Sequence, residues 1–292
     1  MLIVSQLVNG LQLGSIYALV ALGYTMVYGI VKLLNFAHGD IIMVGAYIAL
    51  FTLTFGQHPL VATALTVLGC TVLAIVIEKL AYTPLRSAPR LSLLITAIGV
   101  SILLQNLAQY FFGAGGRSFP GHLLLPQGSI AVGGVLVAYT SLMTIVVSLI
   151  SMVALTFLVR GTKLGKAMRA VSEDQGASQL MGINVNNIIT FTFAVGAALA
   201  GVGALLYSVR YPLITPTIGA MLGLKAFVAA VVGGIGSIPG AMLGGYAIGL
   251  LEVLVTAIGL SGWVDGVVFT LLICVLMVRP TGFMGRNMME KV

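Results

Sequence analysis

Phosphate chemistry is the first possibility the chain offers, because GTKLGKA at 161–167 sets lysines beside glycines. Its glycines stand four apart where a nucleotide loop needs five, and Ala167 occupies the place of a magnesium-binding hydroxyl, so the segment is not such a loop. GGIGSIPG at 233–240 lacks the third glycine of a dinucleotide fingerprint, and Pro239 falls where the next helix would have to build. His38, His58 and His122 are scattered, with no second His or Cys at ligand spacing, which argues against a metal. Cys70 and Cys274 sit in apolar runs, where a thiol behaves as a small hydrophobe. The expectation is a chain that is not an enzyme and binds no cofactor or metal of its own.

What remains is polar groups set inside oil-like runs. The sequence is 59% hydrophobic and 7% charged, with mean hydropathy +1.13, whereas an average soluble domain is about 25% charged. A charge within a membrane span costs roughly 2.5–3.5 kcal/mol on insertion scales, so each one asks for a reason. Glu78 lies beside Lys79 at a span end, where both are expected to snorkel. Asp265 follows Trp263 at another end, an interfacial pairing. Only Glu252, in GLLEVLVTAI, sits well inside a run. Tyr17, Thr25, Asn35, Gln105, Asn106 and Glu252 are the candidates for a transport path. Each serves equally well as interhelical glue worth about 0.6–2 kcal/mol.

The elements that must position these groups are membrane helices. Apolar runs close to the ~20 residues that cross a bilayer recur from end to end, without the ~10-residue alternation of a membrane β-barrel. They are expected at about 4–30, 40–56, 59–79, 91–112, 137–159, 188–208, 219–235, 237–258 and 263–279. The fold class is therefore an all-α polytopic bundle of eight or nine transmembrane helices, the lower number applying if the short seventh run does not cross. MLIVSQLVNG lacks the basic start of a cleavable signal, so the first run is read as a retained span. The net charge of +7 does not imply nucleic acid, since the basic residues sit at span edges. With the N-terminus outside and the C-terminus in the cytoplasm, Lys32, Lys79, Arg86, Arg90, Arg160, Lys163, Lys166, Arg169, Arg279, Arg286 and Lys291 all face the cytoplasm. Arg117 and Arg210 then fall outside, with Lys225 at an outer span edge. The outer loop 113–136 is rich in Gly and Pro and expected to be irregular.

Three stretches stand out against this background. NFAHGD at 35–40 interrupts an apolar region, and reads either as a broken helix with Asn35 as a cap or as a plain cytoplasmic turn. Gly10/Gly14, Gly219/Gly223, Gly240/Gly244 and Gly245/Gly249 permit close helix approach, within the chain or to a second membrane subunit. RGTKLGKAMRAVSEDQGASQLMGINVNN at 160–187 is the polar exception, with a helix expected over 163–181 and Gly182 as its stop. As an exposed amphipathic element it suits a groove on a cytosolic partner, with Met168, Leu180 and Met181 as apolar anchors; a solvated loop on the lipid headgroups is the other reading.

Taken together, NGLQLGSIYALVALGYTMVYGI, NFAHGD, EKLAYTPLRS, TAIGVSILLQN, GKAMRAVSEDQGASQLMGIN, TFAVGAALAG and LKAFVAAVVGGIGSIPGAMLGG resemble, in order, the inner-membrane permease of branched-chain amino acid ABC importers, closest to the H subunit of the Liv system. RPTGFMGR near the C-terminus fits as well. The resemblance implies a single transmembrane permease domain over 1–292 in the bacterial inner membrane. It would work with a second permease, two cytosolic ATP-binding subunits that use ATP and magnesium, and a periplasmic or extracellular substrate-binding protein. It also implies that 160–187 is the cytoplasmic segment coupled to the ATPases, through Arg169, Glu173, Asp174, Ala177, Gly182, Ile183 and Asn184. The segment departs from the general ABC permease signature: Glu-Asp-Gln stands where Glu-Ala-Ala is usual, and the trailing Leu-Pro is missing. The implied cargo is leucine, isoleucine or valine. A permease for urea or short-chain amides, or a secondary transporter acting alone, are the alternatives.

Overall fold

The computed structural model describes residues 2–285 apart from 33, 87, 126–127 and 133–134; Arg286 and Lys291 lie outside the described residues. Its helices are α1 (Leu2–Val31), α2 (His38–Thr54), α3 (Pro59–Ile77), α4 (Arg90–Phe112), α5 (Gly121–Leu124), α6 (Tyr139–Gly161), α7 (Lys163–Glu173), α8 (Gln175–Leu180), α9 (Val185–Arg210), α10 (Ile218–Gly233), α11 (Ile238–Ala257) and α12 (Val264–Val278). α3 continues into a π turn, Glu78–Tyr82, and a 3-10 turn, Thr83–Leu85. Among the described residues seven helical stretches are long and apolar enough to cross a membrane, and the shorter apolar helices α2 and α10 bring the set to nine. At 17 and 16 residues these two rise only about 25 Å, short of a ~30 Å hydrocarbon core. The seventh run is thus short as anticipated, and so is the second.

α1 is apolar on every side, which is the pattern of a helix surrounded by others. It occupies the centre: Ile16, Ala18, Leu19, Val20, Ala21 and Leu22 are fully buried. Glycines set how closely its neighbours approach. Gly245 and Gly249 of α11 lie against Ala18 and Gly14 of α1, so the two helices run in opposite directions, and Gly240 and Gly244 face Gly233 and Ala229 of α10. Gly219 and Gly223 meet Gly39 of α2. All four glycine pairs therefore pack within the chain. By contrast α4, α6 and α12 leave large apolar side chains such as Ile102, Phe157 and Met277 exposed, as lipid-facing helices do.

The stretch 34–40 is a break rather than a surface turn, but Asn35 is not its cap: Ala37 holds the N-cap position of α2 with no side-chain bond, and the Asn35 Oδ1 accepts from Tyr82 instead. Asn35, Ala37, His38 and Asp40 are buried, and the Asp40 carboxylate accepts hydrogen bonds from Ser101 and Gln105. Ser101 is the central residue of the 23-residue α4, so α2 starts deep in the bundle after a broken passage. Lys32 opens that passage with φ +56°, in the left-handed region. The first turns of α2 and α10 cross here, and a Cβ on Gly39 would press well inside contact with the Gly219 carbonyl. Gly39→Ala is therefore expected to overpack the crossing by about 1–3 kcal/mol. Gly99→Ala, which meets nothing within 4 Å, is the control. Thermal inactivation of the two variants in detergent reads the difference, and equal midpoints would refute the crossing.

The described part of the loop 113–136 holds more regular structure than expected. β1 (Arg117–Ser118) pairs antiparallel with β4 (Leu213–Ile214), and β2 (Ser129–Val132) with β3 (Val135–Ala138). Phe119 and Ile214 anchor it by burial among Tyr47, Leu53 and Leu205; that apolar seating outweighs the glycine content. GGIGSIPGA turns as anticipated: Gly234 and Gly236 take positive φ, and Ser237 caps α11 by accepting from the Gly240 N–H.

Candidate functional site

The polar segment between α6 and α9 forms two helices where one was expected. Asp174, extended at φ −153°, ends α7 and caps α8 by accepting from the Ala177 N–H at 2.9 Å. A carboxylate that can satisfy a free backbone N–H favours such a break over continued helix. Gly182 stops α8 at φ +81°, as its sequence position indicated, and Asn184 caps α9 through the Asn187 N–H at 3.2 Å. α7 lies against the bundle with Gly165, Met168 and Val171 buried. Met168 is therefore no partner anchor; it is fully enclosed by this chain. α8 is the part held away: Leu180 is 90% and Met181 83% exposed, side by side at its end. Arg169 turns its guanidinium back to the Val159 carbonyl, Glu173 stands near enough to Lys32 to attract its ammonium, and Ile183 donates its N–H to Ser178.

Beneath α8 and the start of α9 lies a buried ion pair that snorkelling did not foresee. Lys79 is exposed, but Glu78 is wholly enclosed. Its Oε1 accepts from Thr83 at 2.7 Å and from Arg86, and its Oε2 from Thr190 of α9 at 2.8 Å. Arg86 also donates to Asn186 in the first turn of α9. The π turn that carries Glu78 brings Tyr82 to Asn35, whose Oδ1 accepts at 2.7 Å in the broken passage. The π turn thus carries two separate polar links, one from Glu78 through Arg86 to the start of α9 and one from Tyr82 to Asn35 just ahead of α2. The sequence signal for it was available in EKLAYTPLR, a carboxylate eight residues ahead of an arginine with Pro84 between, but the spacing fits neither helix nor strand neighbours.

A second network crosses the bundle at Glu252. Its carboxylate accepts from the Tyr17 hydroxyl of α1 at 3.0 Å and pairs with Lys225 of α10 at 3.0 Å, and Lys225 reaches on to Asp265 of α12 at 2.7 Å. Lys225 and Asp265 are therefore more than interfacial residues: they tie α10, α11 and α12 together. Of the six path candidates, Tyr17 meets Glu252 here, while Asn35 and Gln105 belong to the broken passage. Thr25 is buried with no partner for its hydroxyl among the described residues, as are the Tyr24 hydroxyl and His38 Nε2 nearby. Asn106 is exposed and satisfies itself on the Ile102 carbonyl at 2.7 Å, apart from the rest. Among the described residues no group of three His, Cys, Asp or Glu side chains is placed to hold a metal.

A bundle with short helices starting inside it, charges paired across it and a polar two-helix segment between α6 and α9 is built as a multi-pass membrane protein. The chain belongs to the family described as branched-chain amino acid transport system / permease component, whose model matches residues 6–277. It is similar to the high-affinity branched-chain amino acid transport system permease protein BraD of Pseudomonas aeruginosa, 45% identical over 98% of this chain and 97% of that one. The corresponding permease LivH of Escherichia coli is 42% identical with the same coverage. Among solved structures, PsaBC from Streptococcus pneumoniae in complex with Fab is similar over 94% of this chain and 91% of that one, at TM-score 0.48 and 15% identity.

Proposed function

We propose that this chain is the transmembrane permease subunit of an ATP-driven importer for leucine, isoleucine and valine. In this reading it is one membrane domain in the bacterial inner membrane, its N-terminus outside and its C-terminus in the cytoplasm. It forms the translocation path with a second permease, receives cargo from an external binding protein and binds no cofactor itself. Two cytosolic ATPases use ATP and magnesium and dock on 160–187. The observation that carries the reading is identity of 42–45% over nearly the whole chain to permeases named for high-affinity branched-chain amino acid transport. The exposed Leu180–Met181 pair supports the docking role, since two large apolar side chains on a polar projection suit burial in a partner groove. Path residues are then Tyr17, Thr25, Asn35, Gln105 and Glu252, with Lys225 added; Asn106, exposed on α4, is the weakest member of the original set.

Reconstitution of the assembled importer with radiolabelled leucine, competed by valine, isoleucine or urea, tests cargo; uptake that answers only to urea removes the assignment. Accumulation by this chain without ATPases would remove the importer-subunit role. For docking, each fully buried Leu or Met side chain contributes about 1.5–3 kcal/mol. Leu180→Ser with Met181→Ser is thus expected to weaken ATPase association roughly a hundredfold or more, with membrane insertion intact. Undiminished co-purification of the ATPase would count against α8 as the docking element.

A further inference from the structure

A cavity of about 80 Å³ lies under α8, walled by Val31, Leu93, Ile189 and Phe193, with Tyr82, Arg86 and Gln175 as its polar members. That volume has room for roughly five to eight water-sized groups, the bulk of a short branched acid. Its one charged lining group among the described residues is a cation. Arg86 has five N–H donors, and among the described residues two are used, on Glu78 and Asn186. Glu78 already accepts from Arg86, Thr83 and Thr190, and the Tyr82 hydroxyl is given to Asn35. No carboxylate is among the described residues that line the cavity, so an ammonium entering here would meet no counter-charge, whereas a carboxylate would find guanidinium donors still free. A planar guanidinium can hold one carboxylate on each of two edges.

We infer that this cavity is a binding site for a short, branched aliphatic carboxylate entering from the α8 side, and that its occupant slows transport. The inference rests on the proposed importer role, which makes that side cytoplasmic. The fit is to an anion with an apolar tail, such as the α-keto acid left when an imported branched-chain amino acid loses its amino group, rather than to the zwitterionic cargo. Occupancy reaches the machinery because Gln175 belongs to α8 and Arg86 bridges the start of α9 to the π turn. A ligand that draws on Arg86 binds the two states of that bridge unequally, which is the condition for shifting between them.

The test uses the complete importer in proteoliposomes with ATP and ATPases in the lumen and leucine with binding protein outside. Luminal α-ketoisocaproate is expected to inhibit uptake saturably, while isocaproamide, which lacks the charge, is weaker by about tenfold or more. Luminal leucine at the same concentration is expected to be similarly weak. Leu93→Trp, which fills the cavity from α4, should abolish the inhibition and keep uptake with an empty lumen. Absence of saturable inhibition, equal potency of leucine or the amide, or inhibition that survives Leu93→Trp would each overturn the site. Where Leu93→Trp does not assemble, equilibrium dialysis of radiolabelled α-ketoisocaproate against the unmodified importer decides, and no saturable binding refutes the proposal. Uptake with an empty lumen reads the importer role separately, so a failure of the site is told apart from a failure of that role.

Discussion

Arg86→Ala is expected to destabilise the permease by about 3–5 kcal/mol, the usual consequence of removing one member of a buried ion pair. Glu78 is wholly enclosed, and Arg86 is its cationic partner, with 22% side-chain exposure. Without it a carboxylate stays in the bundle with only the Thr83 and Thr190 hydroxyls to solvate it. Monodisperse recovery from detergent and the thermal inactivation midpoint both report this loss. Adding Glu78→Gln removes the stranded charge; the amide oxygen still accepts from one threonine and the amide NH2 donates to the hydroxyl oxygen of the other, so the double variant should regain most of the stability. Its transport should stay impaired, because the link from Asn186 of α9 to the π turn is still cut. In the proposed importer the double variant retains its ATPase and hydrolyses ATP with less leucine moved per turnover. Arg86→Ala as stable as the parent protein would show that Glu78 is not held as a charge.

Lys225→Met carries the second large effect. Lys225 is the cation shared by Glu252 and Asp265, at 3.0 and 2.7 Å, and Met keeps its length and apolar stem while deleting the ammonium. Glu252, buried to 7% exposure, is left with the Tyr17 hydroxyl, again a loss of about 3–5 kcal/mol. The damage should centre on α12, whose buried side chains are Val268 and Val275. A cysteine pair placed across α10 and α12 should therefore cross-link less in Lys225→Met than in the parent. Glu252→Gln added to Lys225→Met is expected to recover folding, since a neutral amide can still accept from Tyr17. Undiminished cross-linking and yield in the single variant would mean that α12 is held by its apolar contacts alone.

The two networks show why local pattern stops short. Glu252 was legible as an anomaly from its apolar neighbours, but its partners Tyr17 and Lys225 were not, because the Tyr17 bond joins residues 235 apart in the chain. The Thr190 bond to Glu78 spans 112 positions, and no periodicity reports such a meeting. Met168 makes the same point in reverse. Its helix pattern says only that it shares a face with Gly165 and Val171, and docking of α7 on the bundle turned that face inward.

By itself the sequence determined the all-helical membrane architecture, the run boundaries to within a few residues, the glycine turn before α11, the stop at Gly182 and the polar segment at 160–187. Those properties follow from hydrocarbon burial and from backbone conformations that only certain residues accept, and both act over a few neighbours. Tertiary structure alone decided that 34–40 is a buried break rather than a surface turn, that the glycine pairs close helices within one chain, and which charge answers which. Pairing is decided by where helices stop and cross, and the free energy of each buried charge is settled by groups that the chain brings back from far away.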